Sequence, residues 1–145
     1  MMDLDLLLQQ HRLWFEARGN AGKKAELSEA NLKGANLENA VLVEAHLQGA
    51  DLFRANLKGA DLRGANLQDS RLGQAQLQGA NLEETDLMWA DLQGANLENA
   101  NLDGTYLQGA NLRRVIGLSK LQLDRAVVDE STCLPASYSK TFKSS

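Results

Sequence analysis

Residues 90–112, ADLQGANLENANLDGTYLQGANL, repeat one five-residue phrase. Leucine returns at every fifth place, with alanine or threonine two positions before it. The rhythm extends well beyond this stretch. From Leu27 through Leu112 all eighteen positions at this spacing are leucine: Leu27, Leu32, Leu37, Leu42, Leu47, Leu52, Leu57, Leu62, Leu67, Leu72, Leu77, Leu82, Leu87, Leu92, Leu97, Leu102, Leu107 and Leu112. The column two residues earlier, Ala25 to Ala110, is alanine except at Ser70, Thr85 and Thr105, and the column between is mostly Asp or Asn. An α-helix advances about 140° over five residues, which would smear the leucines around every side. Five is odd, so along a strand successive leucines would face opposite ways. To keep every leucine inside, the backbone must turn once per repeat.

A column two residues after the leucines supports such a corner. It holds Gly34, Gly49, Gly59, Gly64, Gly79, Gly94, Gly104 and Gly109, with Asn39 and Asn99 among the others. A type II turn needs a positive φ at its third residue, which Gly and Asn adopt at low cost. The expected chain is a coil of short extended edges with leucine at its centre and small residues at its corners, where larger side chains would push stacked coils apart.

The stretch ANLKGADLRGANLQDS, residues 55–70, resembles the A(D/N)LXX motif of the pentapeptide repeat family. The resemblance implies an all-β solenoid, a right-handed quadrilateral β-helix with four repeats per coil. Eighteen repeats over residues 25–114 then make about 4.5 coils, a rod roughly 22 Å long at the β-ladder spacing. The Asp/Asn column, rich in carboxylates, reads as short polar side chains bonding local backbone at the turns.

A stack of coils has an open edge at each end that needs a cover. In residues 1–24 the apolar positions Leu4, Leu7, Leu8, Trp14 and Phe15, with His11 among them, follow helical spacing, and Gly19-Asn20 stops the helix. That face either caps the coil or receives a membrane or a partner helix, and the open edge favours the cap. Val41 and Val43 form a smaller apolar spot expected beneath this helix. HRLWFEARGNAGKKAELSEANL, residues 11–32, also resembles a common opening of the family. Residues 115–135 form the other expected cap: a capping box of Ser119 with Gln122, a staple of Leu118 with Leu123, and degenerate edges in AVVDESTCLP ending at Pro135. Residues 136–145, ASYSKTFKSS, are polar and expected to be loose.

The 145 residues suit one domain, with 15 Lys and Arg against 19 Asp and Glu. That acidic balance gives no general attraction to nucleic acid. The single Cys133 excludes an internal disulfide framework and fits a reducing compartment. MMDLDLLLQQ has acids where a signal peptide needs bases, so a cytoplasmic, membrane-free protein is expected. His11, His46 and Cys133 have no metal-ligand spacing, and no nucleophile motif or phosphate loop is present. A leucine-filled centre leaves no pocket for a substrate. The reading is therefore a non-enzyme with no catalytic residue, cofactor, metal or small-molecule substrate.

What remains is the outside. By steps of twenty residues, the side starting at residue 25 carries net −4, the next +3, the third −1 and the fourth −4. Departures from the consensus cluster near the basic side: Phe53, Arg54, Arg71, Met88 and Trp89, with Tyr106 on the first side. These six are the candidate docking surface for an unidentified protein partner, with Trp89 and Arg71 placed where they could meet as a cation–π pair. The alternative for each aromatic is to lie flat over small neighbours. The chain is read as a monomer, with a dimer as the other possibility.

A second function follows from the resemblance: some family members mimic DNA, bind DNA gyrase and give quinolone resistance. Duplex DNA would carry about 13 charges along roughly 22 Å, whereas the two acidic sides together hold −8 and a basic side adjoins them. Those mimics resemble longer rods joined through an apolar C-terminal end, and this chain ends in Lys and Ser. The interaction module is the preferred reading.

Overall fold

The computed structural model describes residues 2–138. Its chain climbs in coils that repeat every twenty residues, each side of a coil pairing with the same side of the next through one parallel bridge. One side runs Glu26, His46, Asn66, Asp86, Tyr106 and the second Asn31, Asp51, Arg71, Asp91, Asn111. The third runs Asn36, Asn56, Gln76, Asn96, Ile116 and the fourth Val41, Asp61, Asn81, Asn101. The expectation of short extended edges needs one refinement: among the described residues each edge contributes a single bridging residue rather than a continuous strand. The turns take too much of every five residues to leave more.

One rung shows the wiring. The Asp51 amide donates to the Ala30 carbonyl at 2.9 Å, Leu32 donates to the Asp51 carbonyl at 2.7 Å, and Gly34 donates to the Phe53 carbonyl at 2.9 Å. Ala35 then closes the corner by donating to Leu32 at 3.0 Å, with Gly34 at φ 64° in the third place of the turn. The same left-handed φ recurs where the residue is not glycine, as at Glu44 (58°), Arg54 (58°) and Trp89 (61°). The corner is thus imposed by the coil, and glycine is only its cheapest occupant.

The Asp/Asn column does what short polar side chains do at turns. Asn31 Oδ1 accepts the Lys33 amide at 3.3 Å, Asp51 Oδ1 that of Phe53 at 3.2 Å, and Asp91 Oδ1 that of Gln93 at 3.0 Å. All the repeat leucines are 2% exposed or less and form one continuous core with the alanine column. Thr85 and Thr105, in the alanine column, donate their hydroxyls to the Leu62 and Leu82 carbonyls of the coil before, both at 2.6 Å.

The first coil is covered by α1 (Leu4–Glu16), whose N-cap Asp3 accepts the Leu6 amide at 3.1 Å. Leu4, Leu7 and Leu8 pack on the leucine core. His11 is fully buried. Its Nδ1 accepts the Ala25 amide at 2.8 Å, so the proton sits on Nε2, which donates to the Val43 carbonyl at 2.9 Å. Burial holds its pKa below the ordinary 6.5, outweighing the opposing Val43 bond. Val43 is buried beneath this helix.

At the other end α2 (Lys120–Arg125) carries the full capping box of Ser119 and Gln122. Beyond it the register lengthens: Val127 bridges Tyr106, 21 residues on, and Cys133 bridges Asn111, 22 residues on. Most of the tail read as loose, 139–145, lies outside the described residues. No helix among the described residues is long and apolar enough to cross a membrane.

Candidate protein-docking surface

The coil register decides where each candidate side chain stands. Residues in the turn occupy corners, so Met88 and Trp89 sit on the corner between the first and second sides, in the column Glu29, Gly49, Asp69, Trp89, Gly109. Phe53 and Arg54 sit on the next corner, between the second and third sides. Arg71 bridges on the second side between these corners, and Tyr106 bridges on the first. Four of the six therefore stand on the two corners that border the basic side, Arg71 lies on that side and Tyr106 on the one before it, so they do not form one flat patch.

Contacts within this group are few. The Phe53 ring lies against Gly73 of the next coil, where an added Cβ would come within 3.0 Å of it. Arg54 stands over that ring with its guanidinium carbon 5.3 Å from the ring centre. Its Nε donates to Gln74 Oε1 at 2.9 Å. Trp89 rests on Gly109 in the same manner and is still 58% exposed, while Met88 is half-buried. Tyr106 is 42% exposed, below Val127.

Among the described residues Trp89 and Arg71 do not pair. Trp89 follows Arg71 by 18 residues rather than twenty, so the coil places Asp69 beneath the tryptophan. Arg71 reaches Asp51 instead, Nη1 to Oδ2 at 3.8 Å, and Lys33 approaches the same carboxylate at 3.5 Å. Among the described residues the cations over aromatic rings are Lys24 on Trp14, Arg54 on Phe53 and Arg63 on Phe15. Two of these hold the entrance of the coil rather than a docking face.

Two features escaped the sequence reading. Gln122 does more than cap α2: its Nε2 donates to the Leu97 and Ala100 carbonyls at 2.7 and 2.9 Å, closing part of the last coil's edge. Ile116, Leu121 and Val127 are exposed apolar side chains near that end. The loss of leucine register at Gly117 and the capping box after it mark this region in the sequence, but neither shows these contacts. Among the described residues no group of three His, Cys, Asp or Glu is arranged to hold a metal.

Comparison with known proteins identifies the family of the repeat. The family model for pentapeptide repeats matches in eight copies, over residues 23–59, 55–94 and 90–127. A pentapeptide repeat protein from Nostoc Pcc 7120 superposes with a TM-score of 0.65 at 30% identity, covering 83% of this chain and 93% of that one. One from the Arabidopsis thaliana thylakoid lumen gives 0.64 at 29% identity, covering 68% of each chain. A third, from the cyanobacterium Cyanothece 51142, gives 0.60 at 30% identity and 66% of this chain, and the chain spans 64% of its length. No curated protein matches the sequence.

Proposed function

This chain belongs to the pentapeptide repeat family, and on that premise we propose that it is a non-enzymatic interaction module presenting a rigid charged surface to a protein partner. The finer architecture belongs to the same proposal: eighteen repeats in about 4.5 right-handed coils over residues 25–114, capped by 1–24 and 115–135. The docking surface consists of Phe53, Arg54, Arg71, Met88, Trp89 and Tyr106.

Trp89 carries the reading. A bulky side chain in the left-handed region costs roughly 1–2 kcal/mol, and this one has φ 61° and is 58% exposed. Glycine fills the same corner at Gly49 and Gly109. A large aromatic kept on a strained, solvent-facing corner beside a basic side matches the residue type that concentrates binding energy at interfaces. A cytoplasmic location is part of the proposal and rests on the lone Cys133.

The test is affinity capture from the protein's own cells with the wild-type chain and with Trp89→Ala plus Arg54→Glu. Loss of one defined partner in the variant supports the surface, whereas equal recovery removes it. A supercoiling assay runs alongside: inhibition of DNA gyrase at micromolar protein would replace this reading with the DNA-mimic one.

A further inference from the structure

We infer that the corner between the second and third sides reads carboxylates, and that its partner is an extended acidic protein segment lying along the coil axis. This rests on the docking reading above and names the partner's chemistry. The carrying observation is how Arg54 is held. Its Nε is engaged by Gln74 at 2.9 Å and its guanidinium carbon stands over the Phe53 ring, 5.3 Å from the ring centre. Phe53 itself is seated against Gly73. Both terminal nitrogens are left for the forked contact that arginine makes with a carboxylate, and little side-chain freedom remains to be lost on binding.

The surroundings agree in charge. Lys33 and Arg71 are both drawn to Asp51. Arg54 and Arg114 have no acidic partner within ion-pair distance among the described residues, and both are exposed. They share one corner column, three rungs apart, with Gln74 and Gly94 between them. Three rungs of a β-ladder span about 14 Å. Four residues of an extended strand span about 13 Å. Two carboxylates four residues apart on one face of an extended segment therefore match Arg54 and Arg114 together, and small or neutral side chains between them leave the path open.

The experiment uses the full chain and fluorescein-labelled synthetic peptides, read by anisotropy at low ionic strength. One peptide places two glutamates four residues apart in a Thr/Val background. The second places them side by side, and the third replaces both with lysine. A single-stranded oligonucleotide of equal charge is the fourth probe. The spaced peptide should bind about tenfold tighter than the adjacent one, as expected for one added charged hydrogen bond, and the lysine peptide should not bind.

Arg54→Glu should abolish the preference for spaced glutamates. Glutamate already occupies this turn position with left-handed φ at Glu29, Glu44 and Glu84, so the coil accepts it, and a circular-dichroism melt checks this. Gln74→Asn keeps the charge but withdraws the Nε anchor; it should weaken the spaced peptide several-fold and leave the adjacent one unchanged. Equal binding of spaced and adjacent peptides, indifference to Arg54→Glu, or tighter binding of the oligonucleotide would each overturn the inference. Trp89→Ala separates the two proposals, since it should spare the peptide while reducing capture of the cellular partner.

Discussion

Gly109→Ala tests whether the coil holds Trp89 as described. An added Cβ at Gly109 would stand 2.3 Å from Trp89 Cε3 and 2.4 Å from Cδ2, far inside contact distance. Gly109 also has φ 74°, so alanine there costs roughly 1–2 kcal/mol from backbone strain alone. The second contribution comes from the indole. Trp89 is 58% exposed, so about two-fifths of its surface, roughly 100 Å², is covered, worth at most ~2.5 kcal/mol. Swinging the ring off Gly109 forfeits much of that.

The expected loss for Gly109→Ala is therefore about 2–4 kcal/mol in the wild-type background. In a Trp89→Ala background only the backbone part remains, about 1–2 kcal/mol. Urea unfolding followed by circular dichroism on the four proteins of the cycle gives a coupling of about 1–2 kcal/mol. Tryptophan fluorescence of the Gly109→Ala protein should also shift as the ring leaves its seat. Equal losses in the two backgrounds, within about 0.5 kcal/mol, would show that the ring does not rest on Gly109 and would refute the reasoning.

Other consequences follow from the core and its two covers. Leu72→Ala, in the middle of the stack, should lower unfolding free energy by about 3–5 kcal/mol, read from a denaturant midpoint; a loss under ~1 kcal/mol would contradict close packing at the centre. His11 has its pKa depressed by burial, so the folded chain binds fewer protons than the unfolded chain below pH 6.5. Its contribution is present above that pH and declines as pH falls through the depressed value, and a His11→Gln variant should show a flatter stability profile as pH falls below 6.5. Gln122→Ala removes bonds to the Leu97 and Ala100 carbonyls and the Ser119 amide, at about 2–3 kcal/mol. Hydrogen exchange should then quicken in residues 97–107 and not near α1; uniform protection would sink the edge-closing role.

The repeat made the fold legible because its physics is local and redundant. A leucine every five residues admits no helix or strand, and the solution is repeated so often that single departures such as Ser70 or Thr85 do not obscure it. The leucine column, the turn position and the backbone-bonding Asp/Asn column could all be read without coordinates, as could α1 and the Ser119–Gln122 box. The docking surface was legible only as composition. Sides could be assigned by counting, and steps of twenty already put Asp69 rather than Arg71 beneath Trp89, but counting does not say that Asp51 draws both Lys33 and Arg71.

The sequence by itself determined which residues face inward and how often the chain turns, because those depend on spacing along the chain and on the burial of apolar side chains. Only the tertiary structure decided which outer side chains meet. Contacts between coils join residues about twenty apart, and an offset of two positions is enough to replace a tryptophan–arginine pair with an arginine–carboxylate one. It likewise decided that Gln122 reaches the Leu97 carbonyl and that His11 joins α1 to the first coil. Such bonds are set by angles and distances at the ends of the stack, where the periodicity stops and no neighbouring repeat shows what comes next.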